Sequence, residues 1–330
     1  HCTCRRQRQM CIRDSIDTMK GNLIVTIMGP TGVGKTDLAI ELCSHFPINI
    51  ISVDSVQIYK HLDIGSGKPS KDLLQSFPHD LIDIVEPTEP YSTAQFQKDA
   101  LKSIKDSFKG GKIPILVGGT MMYFNHLIDG ISRLPKVSQD IRSDIEREFE
   151  KNGSQKMHDY LKTIDLKSSE KIHINDSQRI KRAIEVFKAT GKGLSQWQEE
   201  KKKEVSRTIS NSNLQQISLI PESRTLHREL ILRRFNQMIS DGLIEEVEKI
   251  LNLEGMSSGS QSMKSIGYRQ VCKYLDGDYG LDDMIEKSVN ATRQLAKRQM
   301  TWLNNWNNLK QISAKESPLK TLVDLIKKNT

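Results

Sequence analysis

The clearest chemical signal in the sequence is a glycine-rich segment that ends in a lysine and a threonine. It reads GPTGVGKT at 29–36 and matches the pattern G-x-x-x-x-G-K-[ST]. Glycines let consecutive backbone N–H groups turn inward around an anion, and the dipole of a following helix adds about half a positive charge there. The expected phosphate-binding residues are Gly29, Pro30, Thr31, Gly32, Val33, Gly34, Lys35 and Thr36.

Within this segment, Lys35 supplies a full positive charge and Thr36 a hydroxyl that can hold Mg²⁺. We therefore predict that both residues are catalytic, that Thr36 is a metal ligand and that Mg²⁺ is the cofactor. The motif predicts a bound polyphosphate or pyrophosphate without distinguishing them. ATP is the default ligand for such a loop, and it would make the chain a nucleotide-binding kinase or NTPase.

A carboxylate stands at the carboxyl end of the next predicted strand. Asp54 lies there, and in a doubly wound sheet this edge faces the phosphate loop. The side chain can accept a proton from an attacking nucleophile or help to hold a metal ion. The alternative is that it caps the following turn. Ser55, Gln57 and Tyr59 follow at alternate positions and could contact a base.

A parallel sheet is needed to position these residues, and the apolar runs of the sequence predict one. Short β-branched runs predict strands at 23–28, 49–55, 81–85, 113–117 and 217–220. Helical patterns lie at 36–45, 93–109, 225–252 and 283–308. The predicted class is α/β, with a P-loop NTPase-like doubly wound parallel sheet and a helical insertion domain.

The insertion is predicted from a change in composition after Gly130, where Lys, Glu, Asp and Ser become frequent and strand signals become few. We divide the chain into a core of 20–130 and 206–330 and a helical insertion of 131–205. The first 19 residues have neither a periodic pattern nor the apolar stretch of a secretory signal. We expect them to be a non-native or disordered tail that precedes a true start at Met19.

Composition sets broader limits. The net charge of +8, from 49 basic and 41 acidic residues, is compatible with a polyanionic partner. The five cysteines include no Cys-x-x-Cys pair, and the two beyond position 11 are far apart, which favours a reducing cytoplasm. No segment approaches the roughly 18 apolar residues that a membrane span needs, so we predict no membrane partner.

Seven motifs, taken together, resemble those of the bacterial tRNA dimethylallyltransferases, also called tRNA isopentenyltransferases. Between about 23 and 303 they read GPTGVGKT, VDSVQIYKHLDIGSGKP, DLIDIVEPTEPYSTAQF, VGGTMMYF, NDSQRIKRAIEV, SMKSIGYRQ and ATRQLAKRQMTWL. The resemblance implies transfer of a dimethylallyl group from dimethylallyl diphosphate to N6 of the tRNA adenosine adjacent to the anticodon on its 3′ side. The products are N6-isopentenyladenosine and pyrophosphate, and the phosphate loop holds the pyrophosphate instead of ATP.

By the same resemblance, Asp54 contacts the adenine N6 and acts as general base, and the insertion holds the tRNA anticodon stem-loop. The implied tRNA-binding residues are Asp54, Ser55, Val56, Gln57, Thr120, Arg142, Gln178, Arg179, Ile180, Lys181, Arg182, Lys264, Ser265, Ile266, Gly267, Tyr268, Arg269 and Arg298. We expect a monomeric cytoplasmic enzyme.

One segment departs from the family pattern. The family's L-H-x-R-I-x-x-R-F corresponds to LHRELILRRF at 226–235, which is longer by one residue. In the family, an arginine of this segment helps to hold the pyrophosphate. The candidates here are Arg228, Arg233 and Arg234, and those that do not bind are expected on a solvated helix face.

Other functions fit parts of the pattern. An ATP-dependent small-molecule kinase shares the phosphate loop and Asp54, but it needs neither the QRIKR segment nor a basic carboxyl-terminal helix. An isopentenyltransferase acting on free AMP, ADP or ATP would not need a stem-loop-binding insertion. A non-catalytic RNA-binding protein would not need an acid beside the phosphate loop.

Overall fold

The computed structural model describes residues 22–130, 134, 137–200 and 207–330. They belong to two compact units, one within 1–128 and 206–330 and the other within 129–205. We call these the core unit and the insertion unit. The tail predicted at 1–19 lies outside the described residues.

The core unit is built on one parallel sheet. Its strands are β1 Leu23–Met28, β2 Ile48–Val53, β3 His79–Asp80, β4 Ile113–Gly118, β5 Asn213–Ile220 and β6 Lys310–Ser313. They lie in the order β3-β2-β4-β1-β5-β6, and every neighbouring pair is parallel. After β1 the chain forms β2, β3 and β4 on one side of that strand, and it later forms β5 and β6 on the other side. This change of side predicts a ligand crevice at the carboxyl end of β1. The predicted α/β class with a doubly wound parallel sheet is confirmed.

Helices surround the sheet and make up the insertion unit. In the described residues they are α1 Lys35–Leu42, α2 Lys71–Ser76, α3 Thr93–Lys109, α4 Met121–Asp129, α5 Gln139–Ile164, α6 Leu166–Lys171, α7 Ser177–Thr190, α8 Leu194–Glu200, α9 Arg207–Ser210, α10 Arg224–Ser240, α11 Leu243–Leu251, α12 Tyr268–Leu275, α13 Leu281–Asn304 and α14 Pro318–Asn329. None of them combines the length and the apolar character that crossing a bilayer requires.

Both faces of the sheet are buried, which explains why its strands read as continuous apolar runs. On β1, Ile24 and Met28 pack into one apolar cluster together with Phe124. Val25 and Ile27 pack into the cluster on the opposite face. All five side chains are fully buried, and burying each contributes roughly 1.5–3 kcal/mol to folding. The strand that leads into the phosphate loop is therefore held rigidly from both sides.

The third strand is shorter than predicted and lies earlier in the chain. Within the run at 81–85, Leu81 and Asp83 have positive φ angles of 65° and 56°, which interrupt an extended backbone. Regular pairing stops at Asp80, and Val85 forms an isolated bridge with Tyr59 instead. The prediction of a strand at 81–85 was wrong.

The carboxyl-terminal half differs from the predicted pattern in two further ways. The helix predicted at 225–252 is two helices, α10 and α11, because Gly242 adopts a left-handed conformation between them. The last strand and helix, β6 and α14, were missed because β6 is only four residues long and partly polar. From them, Ile312 and Leu322 join the apolar cluster that contains Val25.

The insertion unit is helical. Its longest helix, α5, is interrupted at Gly153, and Ile145 and Leu161 on either side of the break belong to the same apolar cluster. A buried carboxylate fixes the helix ends, since Asp165 accepts hydrogen bonds from the backbone amides and hydroxyls of Ser168 and Ser195 at 2.5–3.1 Å. Burial alone would raise the pKa of Asp165, but these four hydrogen bonds outweigh it and lower that pKa.

Candidate active site

The phosphate loop at 29–34 joins the end of β1 to the start of α1, as predicted. Gly32 and Gly34 have φ angles of 78° and 84°, a left-handed conformation that only glycine adopts without strain. Gly34 also begins α1 without a side-chain cap, which leaves backbone N–H groups of the first helical turn available to an anion. The loop therefore presents amide hydrogens where the sequence predicted a phosphate site.

The Lys35 ammonium lies within this loop and donates a hydrogen bond to the Pro30 carbonyl at 2.7 Å. Burial lowers the pKa of Lys35 to about 8; the negative charge of Asp54 opposes this change and the positive charge of Arg234 adds to it. A phosphate or pyrophosphate group beside the ammonium would raise this pKa again, because a negative charge stabilises the charged form. The loop therefore combines a buried cation with amide donors, which suits an anionic ligand.

Arg234 is the arginine that the structure brings to this site. Its guanidinium lies within electrostatic range of Asp54 and Asp37; burial lowers its pKa and both carboxylates oppose that change. The two other candidates, Arg228 and Arg233, are exposed, and Arg233 lies 3.9 Å from its helix neighbour Glu229. Arg228 and Arg233 therefore lie on a solvated helix face, as expected for the arginines of this segment that do not bind pyrophosphate.

The Gly67 backbone lies directly against the Arg234 guanidinium. A Cβ built on Gly67 would overlap the Nη2 atom of Arg234, so only glycine fits at position 67 while the guanidinium keeps its place. Gly67 is fixed in turn by Gln57, whose Nε2 donates to the Gly67 carbonyl at 3.3 Å and whose Oε1 accepts from the Ser52 hydroxyl at 3.0 Å. Gln57 was predicted to bind tRNA, and its side-chain amide supports this arginine-binding turn.

Asp54 lies just after β2, and its two carboxylate oxygens differ in their surroundings. Oδ1 accepts hydrogen bonds from the backbone amides of Val56 at 2.8 Å and Gln57 at 3.3 Å, so the capping role weighed from the sequence is present. None of the described residues donates a hydrogen bond to Oδ2. One oxygen therefore fixes the carboxylate, and the other is free to accept a proton.

Thr120 joins the ends of β4 and β2 beside this carboxylate. Its amide donates to the Val53 carbonyl at 3.2 Å, and its hydroxyl oxygen accepts from the Ser55 amide at 3.1 Å. Thr120, which the sequence predicted as a further contact point, is therefore brought next to Asp54 and Ser55 at one edge of the sheet.

Comparison with known proteins agrees with this geometry. The family model described as IPP transferase matches residues 57–306. The tRNA isopentenylpyrophosphate transferase from Bacillus halodurans is 33% identical over 94% of this chain and 97% of its own, with a TM-score of 0.67. The tRNA delta(2)-isopentenylpyrophosphate transferase from Staphylococcus epidermidis is 32% identical over 93% and 98%, with a TM-score of 0.65.

The chain belongs to the IPP transferase family. The resemblance drawn from the seven sequence motifs is thereby confirmed. A eukaryotic dimethylallyltransferase acting on tRNA, 24% identical over 93% of this chain and 80% of its own, shares the fold with a TM-score of 0.76.

In this IPP transferase, a second glycine-rich loop is filled by a carboxylate of the chain itself. The Glu246 carboxylate accepts hydrogen bonds from the amides of Asp63, Ile64 and Gly65 at 2.7–3.1 Å and from the Tyr268 hydroxyl at 2.7 Å. Tyr268 was predicted to bind tRNA, but its side chain is fully buried, and burial raises its pKa well above the usual value. This side chain supports the loop that contacts Arg234, and its role in tRNA binding stays a prediction.

The other predicted tRNA-binding residues differ in accessibility. Ile180 has no exposed surface because it lies in the insertion core, and Gly267 is also buried, so neither residue is accessible in this structure. Lys181 and Arg182 are ion-paired with Glu146 and Glu185 at 2.5 and 3.1 Å. Val56, Ser265 and Ile266 are half-buried. The exposed members are Arg142, Gln178, Arg179, Lys264, Arg269 and Arg298.

Exchange of Gly67 tests whether Arg234 binds an anion. Gly67→Ala should weaken the binding of inorganic pyrophosphate by about tenfold or more, because the added Cβ displaces the guanidinium and removes a charge-assisted contact. Calorimetric titration with pyrophosphate measures the change.

The matched control is Gly111→Ala. Gly111 also has a positive φ, 65° against 61° for Gly67, but a Cβ there meets nothing within 4 Å. A loss of pyrophosphate affinity that comes from backbone strain alone should therefore occur in both variants. Equal pyrophosphate affinities for the two variants would show that Arg234 does not contact the anion.

Proposed function

We propose that this IPP transferase moves a dimethylallyl group from dimethylallyl diphosphate to N6 of the tRNA adenosine 3′-adjacent to the anticodon. In the reaction, the C1–O bond of the diphosphate breaks, the C1–N6 bond forms, and one N6 proton passes to a base. Pyrophosphate and N6-isopentenyladenosine are the products. The observation that carries the proposal is the placement of two partly buried cations and one proton-accepting carboxylate at the same sheet edge.

Stabilisation of the leaving group is the first requirement. The N6 amine is a weak nucleophile because its lone pair is delocalised into the ring, so departure of pyrophosphate from the allylic carbon must be made easy. Lys35, Arg234 and the amides of the phosphate loop supply positive charge and hydrogen-bond donors where negative charge accumulates. The Lys35 ammonium is oriented by the Pro30 carbonyl and the Arg234 guanidinium lies against Gly67, and groups positioned in this way need little reorganisation during a reaction.

Mg²⁺ fits the oxygen atoms present at this site. The Thr36 hydroxyl accepts no hydrogen bond from the described residues, so its oxygen can take part in metal binding. Mg²⁺ usually takes one or two protein oxygens and completes its shell with phosphate oxygens and water. When bound, it neutralises charge on the pyrophosphate, and Thr36 would hold it. Among the described residues, no group of three or more Asp, Glu, His or Cys side chains is arranged to hold a metal ion.

Positioning of the amine is the second requirement. The Oδ2 atom of Asp54 is the proposed acceptor of the N6 proton, and Oδ1 keeps the carboxylate oriented through the amides of Val56 and Gln57. The adenine must leave the anticodon-loop stack to reach this carboxylate. Ser55 and Thr120 lie beside it and would contact the extruded nucleotide.

Exposed cations would bind the rest of the anticodon stem-loop. Arg142 and Arg179 lie on the insertion unit, and Lys264, Arg269 and Arg298 lie on the core unit. Contacts of this kind go mainly to phosphates and give affinity with little sequence choice. We propose that the enzyme works as a monomer in the cytoplasm, where its tRNA substrates are found.

The proposed function predicts transfer of label to tRNA but not to free nucleotide. The protein is incubated with Mg²⁺, radiolabelled dimethylallyl diphosphate, and either unmodified tRNA or AMP. Label should enter tRNA only, and an anticodon stem-loop with guanosine in place of the target adenosine should stay unlabelled. Label in AMP alone would indicate a free-nucleotide enzyme, and label in neither acceptor would contradict the proposal.

Asp54→Asn tests the general base. The asparagine keeps a carbonyl oxygen for the amides of Val56 and Gln57 but cannot accept the N6 proton. Turnover should fall by roughly a hundredfold or more while tRNA affinity stays near normal. Single-turnover transfer and filter binding measure the two quantities. A variant with the wild-type rate would exclude Asp54 as the base.

The pH profile tests the charge of Lys35. Because its pKa is lowered to about 8, the cation is lost above that pH, where an ordinary lysine stays charged. The kcat/KM for dimethylallyl diphosphate should therefore fall as pH rises through about 8, with a smaller fall in kcat, because bound pyrophosphate stabilises the ammonium.

Lys35→Arg provides the control, since a guanidinium keeps its proton over this range. Its profile should be flat on the alkaline side even if its rate is lower. A flat alkaline limb for the unmodified enzyme would show that Lys35 has an ordinary pKa in the free site.

A further inference from the structure

Gln299 lies on α13 and connects two segments of the active site that are far apart in the sequence. Its side chain is only 6% exposed. The Oε1 atom accepts a hydrogen bond from the Thr31 amide at 3.1 Å, and the Nε2 atom donates to the Gly119 carbonyl at 2.8 Å. One amide group therefore joins the middle of the phosphate loop to the turn that follows β4.

Glutamine suits both contacts because its planar amide carries one acceptor, Oε1, and one donor, Nε2. An ionised carboxylate of the same size carries no donor. Gly119 allows the close approach, because a Cβ at that position would lie 2.5 Å from the Nε2 atom. His227 completes the support of the loop, since its Nε2 donates to the Thr31 carbonyl at 2.8 Å. Both backbone polar groups of Thr31 are thus held by buried side chains.

The contacts of Gln299 continue to the proposed base. Gly119 precedes Thr120, whose hydroxyl oxygen accepts from the Ser55 amide and whose own amide donates to Val53. Val53 and Ser55 are the chain neighbours of Asp54. The hydrogen bonds of Gln299 and Thr120, joined by the peptide bond between Gly119 and Thr120, therefore link the phosphate loop to the segment that carries Asp54.

We propose that Gln299 is a positioning residue that sets the distance between the pyrophosphate loop and the base-bearing segment. This inference rests on the proposed function, in which the allylic carbon and N6 must meet between these two segments. Alignment of reacting groups contributes mainly to the rate of the chemical step, whereas each segment can still bind its own ligand. The loss of Gln299 should therefore lower kcat more than it raises KM.

Its place on α13 gives the proposal a second consequence. Arg298, the adjacent residue, is exposed and is one of the proposed tRNA contacts. The helix that meets the tRNA would thus also hold the donor loop, so binding of tRNA and alignment of the donor share one rigid element.

Gln299→Met is the first test, because methionine is similar in length but offers neither hydrogen bond. The single-turnover rate of dimethylallyl transfer to tRNA should fall by about tenfold or more, since two hydrogen bonds and the alignment they maintain are lost. Affinities for inorganic pyrophosphate and for tRNA should stay within about threefold of wild type. Thermal unfolding of each variant is recorded beside the rates.

Two further variants separate alignment from structural damage. Gln294→Met makes the same exchange on an exposed position of the same helix and should keep the wild-type rate. Gln299→Glu keeps an acceptor for Thr31 but loses the donor to Gly119, so its rate should fall although its size is unchanged. If Gln299→Met does not fold, Gln299→Glu still tests the proposal.

Three outcomes would overturn the proposal. They are a Gln299→Met rate within about threefold of wild type, a rate loss matched by an equal loss of pyrophosphate affinity, or an equal rate loss in Gln294→Met. The absence of transfer by the unmodified enzyme is a different result, because it would contradict the proposed function itself.

Discussion

Two positive charges, on the partly buried side chains of Lys35 and Arg234, lie within electrostatic range of each other, and the loops of the active site are built around them. Burial lowers the pKa of each, Arg234 further lowers that of Lys35, and Asp54 only partly opposes these effects. Such a pair costs free energy until an anion binds between the charges. The diphosphate of the donor offsets this cost when it binds, and the same cations stabilise the further negative charge that develops on the leaving pyrophosphate as the C1–O bond breaks.

Uncharged groups hold this charged pair in place. The Arg234 guanidinium lies against the Gly67 backbone, and the Gln57 side-chain amide donates a hydrogen bond to the Gly67 carbonyl. The phosphate loop is likewise held at Thr31 by side chains from two distant helices. Hydrogen bonds of this kind orient the loops without adding a counter-charge that would compete with the substrate. The rigid ends of the parallel strands give all of them a common base.

The sequence predicts the parts of the site that depend on local spacing. The phosphate loop and Asp54 follow strand ends, so their position was visible from the apolar runs. Helical periodicity could have distinguished Arg234 from Arg228 and Arg233. Arg234 lies seven residues, or about two helical turns, after the buried His227 and so on the same face of the helix. The same period would have shown that Ile180 faces the insertion core. Gln299 could not be found in this way, because its partner Thr31 is 268 positions away and only the fold brings them together.

The Glu246 carboxylate inside the loop at 63–65 also affects where dissolved anions can bind the enzyme. Three consecutive amides with a nearby glycine would otherwise form a second phosphate-binding concavity. Because Glu246 is part of the same chain, its effective concentration at these amides far exceeds that of any dissolved anion. Dissolved phosphate and free nucleotides therefore face an internal competitor at these three amides, which leaves the phosphate loop at 29–34 as the site for the negative charge of the substrates.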